Sequence, residues 1–153
     1  MGAIRVRVRA AEAGDAEAVA HLAARLARSF EFSRATFDAS YPALVVAADA
    51  RLLLATAGDT CLGYLLGFRH LTFYANGPVA WVEEVFVRDD RRGLGVGRAL
   101  MEEFGRWAAG RGCALVALAT RRAAPFYRAL GYEDSAVYFR KVLTGGQDHH
   151  FYN

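Results

Sequence analysis

The chain has 153 residues, 54% hydrophobic and 23% charged, with 19 Lys and Arg against 16 Asp and Glu for a formal net charge of +3. That length supports a core without a disulfide or metal staple, the composition excludes a disordered chain, and so small a charge does not by itself argue for nucleic acid. Cys61 and Cys113 form no CxxC and no cluster with histidines, which points away from zinc and disulfide scaffolds and toward a reducing, intracellular setting.

The opening MGAIRVRVRA holds no apolar run of signal-peptide length, and no later stretch is long enough to span a membrane, so a soluble cytoplasmic protein is expected. Val6 stands where myristoylation of Gly2 needs Ser or Thr. The positive charge is nearly all arginine, Lys141 being the only lysine. Arginine favours planar phosphate and carboxylate partners, although a coding bias toward Arg and Ala accounts for the same count. With no repeat, low-complexity tract or linker, one domain over 1–143 and a tail over 144–153 are expected.

In chain order, Ile4, Val6 and Val8 alternate with Arg5, Arg7 and Arg9, the pattern of a half-buried strand with a solvated arginine face. Gly14-Asp15 supplies a stop and an N-cap for a helix carrying Val19, Leu22, Ala23, Leu26 and Phe30 at helical spacing. A second, shorter helix falls within 33–50. Leu52 to Ala57, a Gly58-Asp59 turn, and Cys61 to Phe68 read as a β-hairpin. A loop is expected from His70 to Pro78, then a strand from Val79 to Val87.

That strand is apolar except for the adjacent pair Glu83-Glu84. A carboxylate in a buried strand is costly unless partnered, so one of the two is expected to face a cleft, a partner or solvent. Neighbours in a regular strand point to opposite faces, so the other is expected to lie elsewhere. After it, Val96, Leu100, Phe104 and Trp107 mark the inner face of a helix closed by Gly110 and Gly112. Ala114 to Ala119 reads as an interior strand, Arg122 to Leu130 as a short helix with Pro125 in its first turn and Gly131 as its stop, and Tyr138 to Leu143 as a last strand. His149-His150 in the tail reads as a frayed terminus rather than a metal site.

The strongest signal is Arg92-Gly93-Leu94-Gly95-Val96-Gly97 between a strand and a helix. Glycines there take positive φ and let backbone N–H groups approach a ligand. The helix start adds unsatisfied N–H groups and about half a positive charge of dipole, making a cradle for phosphate or pyrophosphate. The pattern GxxxxGK[ST] is absent. GxGxxG fails because the third glycine comes one residue early, and no acidic residue stands about 20 positions on to hold a ribose. Nucleotide hydrolysis and NAD chemistry are both disfavoured.

The stretch from Val82 to Leu100 resembles the acetyl-CoA signature of the GNAT superfamily of N-acetyltransferases, (Q/R)xxGx(G/A), which Arg92, Gly95 and Gly97 fill. Downstream, the family's Asn-x-x-Ala-x-x-Phe-Tyr…Gly-(Phe/Tyr) is met by Ala123, Phe126, Tyr127, Gly131 and Tyr132, with Thr120 in place of Asn. The resemblance extends over the chain in element order. It implies a mixed α/β fold, a GNAT-like twisted mixed sheet flanked by helices, with parallel strands splayed around the cofactor at Glu83–Val87 and Leu115–Ala119.

The resemblance further implies acetyl-CoA as co-substrate and no metal. Pyrophosphate contacts would carry over to Arg92, Gly93, Leu94, Gly95, Val96, Gly97 and Arg98, and pantetheine contacts to Val85, Phe86 and Val87, with Thr120 and Phe126 also at the cofactor. The proton acceptor maps to Glu83, with Glu84 as second candidate, and the acid for the leaving thiolate maps to Tyr127. These roles suit the chemistry. An alkylammonium of pKa about 10.4 is roughly 0.1% neutral at pH 7, so a carboxylate that takes its proton removes a penalty of about 4–5 kcal/mol. A phenol of pKa about 10 can protonate a thiolate of pKa about 8.5. For Tyr127, a core position beside Phe126 is the competing reading.

Phe30, Phe32, Phe73, Tyr74 and Trp81 offer an aromatic wall for an organic cation, or else ordinary core. The strand EEVFV and loop TFYANGP resemble polyamine and small-amine acetyltransferases, so a small cationic amine is the expected acceptor, with a peptide or protein amine (N-terminal or lysine) as the alternative. A non-catalytic acetyl-CoA-binding module is a further alternative, against which Glu83 and Tyr127 both stand. A homodimer is admitted, and neither nucleic acid nor membrane is expected as a partner.

Overall fold

The computed structural model describes residues 5–26 and 30–144. Strand β1 (Arg7–Ala10) keeps the alternation expected of it, with Arg7 and Arg9 exposed and Val8 and Ala10 half-buried. Ile4 lies outside the described residues. Asp15 does not act as the N-cap of the next helix. Ala13–Asp15 already form a 3₁₀ turn leading into α1 (Ala16–Leu26), so its carboxylate reaches back to accept from the Glu12 amide at 2.8 Å. The same carboxylate accepts two bonds from the Arg9 guanidinium, at 2.7 and 2.8 Å, which holds its carboxyl below the usual carboxylate range.

Helix α1 buries Val19, Ala20 and Leu22. Phe30 falls beyond the helix and is 48% exposed, so its helical spacing is not used. Helix α2 (Arg34–Val46) occupies the middle of the segment expected to be helical, and its cap is the Ser33 hydroxyl accepting from the Thr36 amide. Buried Tyr41 ties it to the turn before α1 by donating to the Glu12 carbonyl at 2.6 Å, and burial pushes its phenol up to about 12.

The sheet has the order β1-β2-β3-β4-β5. Strands β2 (Ala50–Ala57) and β3 (Thr60–Thr72) form the expected hairpin, with Gly58 at φ +57° in its turn. The loop expected from His70 to Pro78 shrinks to residues 73–76, because β3 continues to Thr72 and β4 (Gly77–Val87) starts at Gly77, pairing with each other to the turn. Asn76 takes the left-handed conformation that closes it. Strand β5 (Val116–Leu118) runs parallel to β4, as the crossover through α3 (Val96–Gly110) requires. It is not the interior strand its apolar run suggested: it is three residues long, half-buried, and last in the sheet.

Side chains sort into two layers. On one face Leu53, Leu65, Ala80 and Val82 pack against Val96, Leu100, Met101, Phe104 and Ala108 of α3. On the other, Leu52, Leu54, Tyr64, Leu66 and Phe86 pack against α1 and α2 through Val19, Leu22 and Tyr41. Gly112, at φ +77°, follows the end of α3, as read from the sequence. The last helix, α4 (Ala124–Ala129), has Pro125 in its first turn.

The strand expected at Tyr138–Leu143 does not form: residues 133–143 adopt neither helix nor strand. A period-two pattern specifies extended backbone but no partner, and here Tyr138 stacks on Trp81 with ring centroids 6.5 Å apart. Val137, Phe139 and Leu143 stay exposed. His149 and His150 lie outside the described residues. No described helix is long and apolar enough to cross a membrane.

Two glycines report how tightly α3 meets the sheet. A Cβ on Gly67 would run into the Phe104 ring, whereas one on Gly105, inside α3, would meet nothing within 4 Å. Gly67→Ala should therefore destabilise the protein by about 1–3 kcal/mol through overpacking, while Gly105→Ala should stabilise it by about 0.5–1 kcal/mol through helix propensity. Urea midpoints of the two variants check both signs. Asp15→Ala should cost about 1 kcal/mol at pH 7. The folded-state carboxyl is held low, so its contribution is present above the ordinary value of 3.8 and fades as pH falls through the folded value. The stability gap between wild type and Asp15→Ala, followed by acid titration, should close in that range.

Candidate active site

The site is organised by an extra residue in β4. Leu66 pairs with Glu84 and the next residue, Gly67, pairs with Val82, which leaves Glu83 without a cross-strand partner. Such a bulge re-aims every side chain beyond it. Before it, Ala80 and Val82 face α3; after it, Val85 and Val87 do. Trp81 lies opposite Phe68 and Glu84 opposite Leu66, both on the α1/α2 face.

The two carboxylates are consequently not on opposite faces, as regular alternation predicted. The Trp81 indole donates to Glu83 Oε2 at 3.0 Å, and the Tyr64 hydroxyl donates to Glu84 Oε1 at 2.7 Å. Both carboxylates lie on the α1/α2 side. The Arg25 guanidinium from α1 sits 5.5 Å from the Phe86 ring centre on that same side.

Pairing between β4 and β5 covers only Ala80–Val82 with Val116–Leu118. Past Val82, β4 remains bonded to β3 through Val85, Phe86 and Val87 but has no ladder with β5. Backbone groups of that stretch face a gap, and such groups require partners. The free edge expected on β4 over Glu83–Val87 is therefore present, starting at the bulge, whereas within the expected partner stretch Leu115–Ala119 the residues Val116–Leu118 are paired with Ala80–Val82, so the strands part only beyond Val82 and Leu118.

At the end of β4 a short 3₁₀ turn, Asp89–Arg91, leads to the glycine loop. Gly93 has φ +78° and Gly95 φ +81°, and a Cβ on either would meet nothing within 4 Å. Gly95 precedes α3 with no side chain capping it, so the first-turn amides of Val96, Gly97 and Arg98 have no intrahelical acceptor. Val96 is buried and anchors the helix start, while Leu94 is half exposed. Arg92 pairs with Asp89 at 2.9 Å and Arg98 with Glu102 at 3.6 Å, both at the surface. A Cβ on Gly97 would stand 3.1 Å from the Phe126 ring and 3.8 Å from Val87, so loop, strand end and α4 meet there. The Thr120 hydroxyl accepts from the Ala123 amide and so sets the entry to α4.

Tyr127 packs with the α3-side core, edge-on to Phe126 and Tyr132. Burial, then the neighbouring Tyr132, raises its phenol above the ordinary value, so it carries its proton at neutral pH. Tyr127 and the two carboxylates thus stand on opposite sides of the sheet.

The expected aromatic wall is dispersed. Phe32 joins Phe37 and Tyr41 along α2, Phe73 and Tyr74 stand exposed in the β3–β4 turn, and only Trp81 adjoins the carboxylates. Sequence reading missed Tyr64, Tyr138 and Arg25. Tyr64 carried a usable signal, since a tyrosine inside an apolar run such as Cys61–Phe68 needs a partner for its hydroxyl. Among the described residues, no three His, Cys, Asp or Glu side chains are grouped to hold a metal.

A glycine loop at a helix start beside two parting parallel strands defines an acyl-CoA-type transferase fold. Residues 45–134 match the family model described as acetyltransferase (GNAT) domain. The chain belongs to this family and is an N-acetyltransferase, an acyltransferase enzyme. It is 34% identical over 109 residues, 63% of its length and 69% of the relative's, to the aminoglycoside N(6')-acetyltransferase type 1 of Stenotrophomonas maltophilia.

Two solved structures share the fold. One is a transcriptional regulator from Bacillus halodurans, at 24% identity and TM-score 0.81 over 91% of this chain and 100% of that one. The other is AAC(6')-Iy in complex with the bisubstrate analogue CoA-S-monomethyl-acetylneamine, at 21% identity and TM-score 0.77 over 91% of this chain and 99% of that one.

Proposed function

We propose that this N-acetyltransferase moves the acetyl group of acetyl-CoA to a primary amine of a small cationic molecule by direct attack. The observation that carries the reading is the placing of Glu83 and Glu84 on one face where β4 and β5 part. Two carboxylates at the mouth of a gap attract an ammonium group and can take its proton. The similarity to an aminoglycoside N(6')-acetyltransferase supports a small-molecule amine as the acceptor.

The chain's features fit the donor. The open, uncapped glycine loop offers amides to pyrophosphate through residues Arg92 to Arg98, and the free edge at Val85, Phe86 and Val87 offers backbone partners to an amide-rich pantetheine arm. Phe126, over Gly97, and Thr120, at the entry to α4, complete this side. Acetyl-CoA in the cytoplasm is the natural supply.

In the reaction the amine nitrogen forms a bond to the acetyl carbon and the carbon–sulfur bond breaks. The amine's proton passes to a carboxylate on the α1/α2 side, and Tyr127 protonates the leaving thiolate from the α3 side. A phenol lifted above pKa 10 donates uphill to a thiolate of about 8.5, by about 2 kcal/mol or more, but the same burial disfavours a bare thiolate. The transfer therefore belongs with bond cleavage rather than after it.

Gly95→Val forces a β-branched residue into a left-handed conformation costing about 1–2 kcal/mol and displaces the loop amides. It should weaken acetyl-CoA binding sharply in a protein that still folds, as calorimetry would show; unchanged affinity in the folded variant removes the loop from the donor site. Tyr127→Phe keeps the ring and removes only the proton. It should lower kcat about 10²-fold with little change in acetyl-CoA affinity. Thiol release across polyamines, aminoglycosides, amino acids and peptides tests the acceptor class, and a preference for peptides would overturn it.

A further inference from the structure

Resting on the amine-acetylation reading, we propose that Tyr64 is a positioning residue. It fixes Glu84 as the carboxylate that takes the amine's proton, while Glu83 holds the substrate's charge at the rim. The reassignment from Glu83 to Glu84 follows from how differently the two are held. Glu83 is exposed and bonded to Trp81, an indole two residues away on its own strand. Glu84 is half-buried, and its partner is a phenol that is only 1% exposed and rooted in the core with Leu52, Leu54, Leu66 and Phe86.

A side chain so enclosed has little freedom, so its 2.7 Å bond fixes where Glu84 Oε1 stands. One oxygen is engaged, and a carboxylate accepts at both, so the other remains able to accept a proton. Burial first, then the Glu84 charge, holds the Tyr64 phenol well above its ordinary range, so it stays a neutral donor.

The bulge is what permits the arrangement. In a regular strand Glu84 would follow Ala80 and Val82 toward α3, out of reach of Tyr64. Among the described residues, the titratable or charged groups on this face include Glu83 on β4, Cys61 on β3, Arg25 on α1 and Tyr41 on α2, with Arg9 and Asp15 beside Cys61 and Tyr41. Arg25 also pairs with Asp89 at 3.4 Å. Tyr64 is the group bonded to Glu84.

The bond from Tyr64 favours the charged carboxylate, so a rate that needs that carboxylate should report its loss in the pH profile. The test is the pH dependence of kcat/KM for a cationic amine such as spermidine, with acetyl-CoA. In Tyr64→Phe the limb on the acid side of neutrality should move up by about one unit. A merely structural loss would lower the plateau and leave the limb in place. Glu84→Gln, whose amide oxygen still accepts from Tyr64, should keep the fold and abolish that limb, with kcat down about 10²-fold. If Tyr64→Phe does not fold, a limb that persists in Glu84→Gln still overturns the proposal. Glu83→Gln should raise KM and keep both the limb and kcat.

An unmoved limb in folded Tyr64→Phe overturns the positioning role, and loss of the limb in Glu83→Gln rather than Glu84→Gln overturns the choice of carboxylate. A wild-type enzyme inert toward every cationic amine would overturn the amine reading and this inference together.

Discussion

The extra residue at Glu83 is the constraint on which the rest of the site depends. A strand with strict alternation cannot place adjacent carboxylates on one face, and the bulge lifts that limit. It ends the pairing with β5 after Val82, keeps β4 bonded to β3, and turns Glu84 toward Tyr64. The polar backbone exposed in the gap is costly if left dry, so the opening is suited to a ligand that itself carries amides.

The opening stays in place because α3 is fastened along its length. Val96, Leu100 and Phe104 are essentially inaccessible to solvent, and Phe104 seats where Gly67 leaves room for it on β3. A helix fixed this way holds its N-terminal amides at one distance from the strand that precedes them. Gly97 lets α4 close against the same point through Phe126. The glycines therefore serve two ends: Gly93 and Gly95 free the loop's backbone, while Gly67 and Gly97 admit an aromatic ring.

The sheet also separates the groups proposed to handle protons. Tyr127 belongs to the α3-side core, and Glu83 and Glu84 to the α1/α2 side, with the gap between them. An acyl transfer needs one proton removed from the nucleophile and one given to the leaving group. Groups on opposite sides of the gap can serve these needs without competing for the same proton. Their surroundings differ in kind: the tyrosine is half-buried against aromatic rings, whereas Glu83 is exposed beside Trp81 and Glu84 is half-buried against Tyr64.

The sequence alone determined every element whose signal is local. Alternation in Arg7–Ala10, helical spacing in Val19–Leu22, the Gly58-Asp59 turn and the glycine loop each act over a few residues, and each formed where it was read. What depended on a partner across space was decided by the tertiary structure. Tyr138–Leu143 has the pattern of a strand but joins no sheet, and Ala114–Ala119 has the apolar content of an interior strand but stands at an edge. Asp15 has the identity of an N-cap, yet a preceding 3₁₀ turn redirects it to the Glu12 amide. Glu83 and Glu84 illustrate the limit most sharply. That such carboxylates need a partner or solvent was legible from their type and place, but which faces they occupy turns on a one-residue slip against β3, and register is a relation between strands that neither strand's sequence contains.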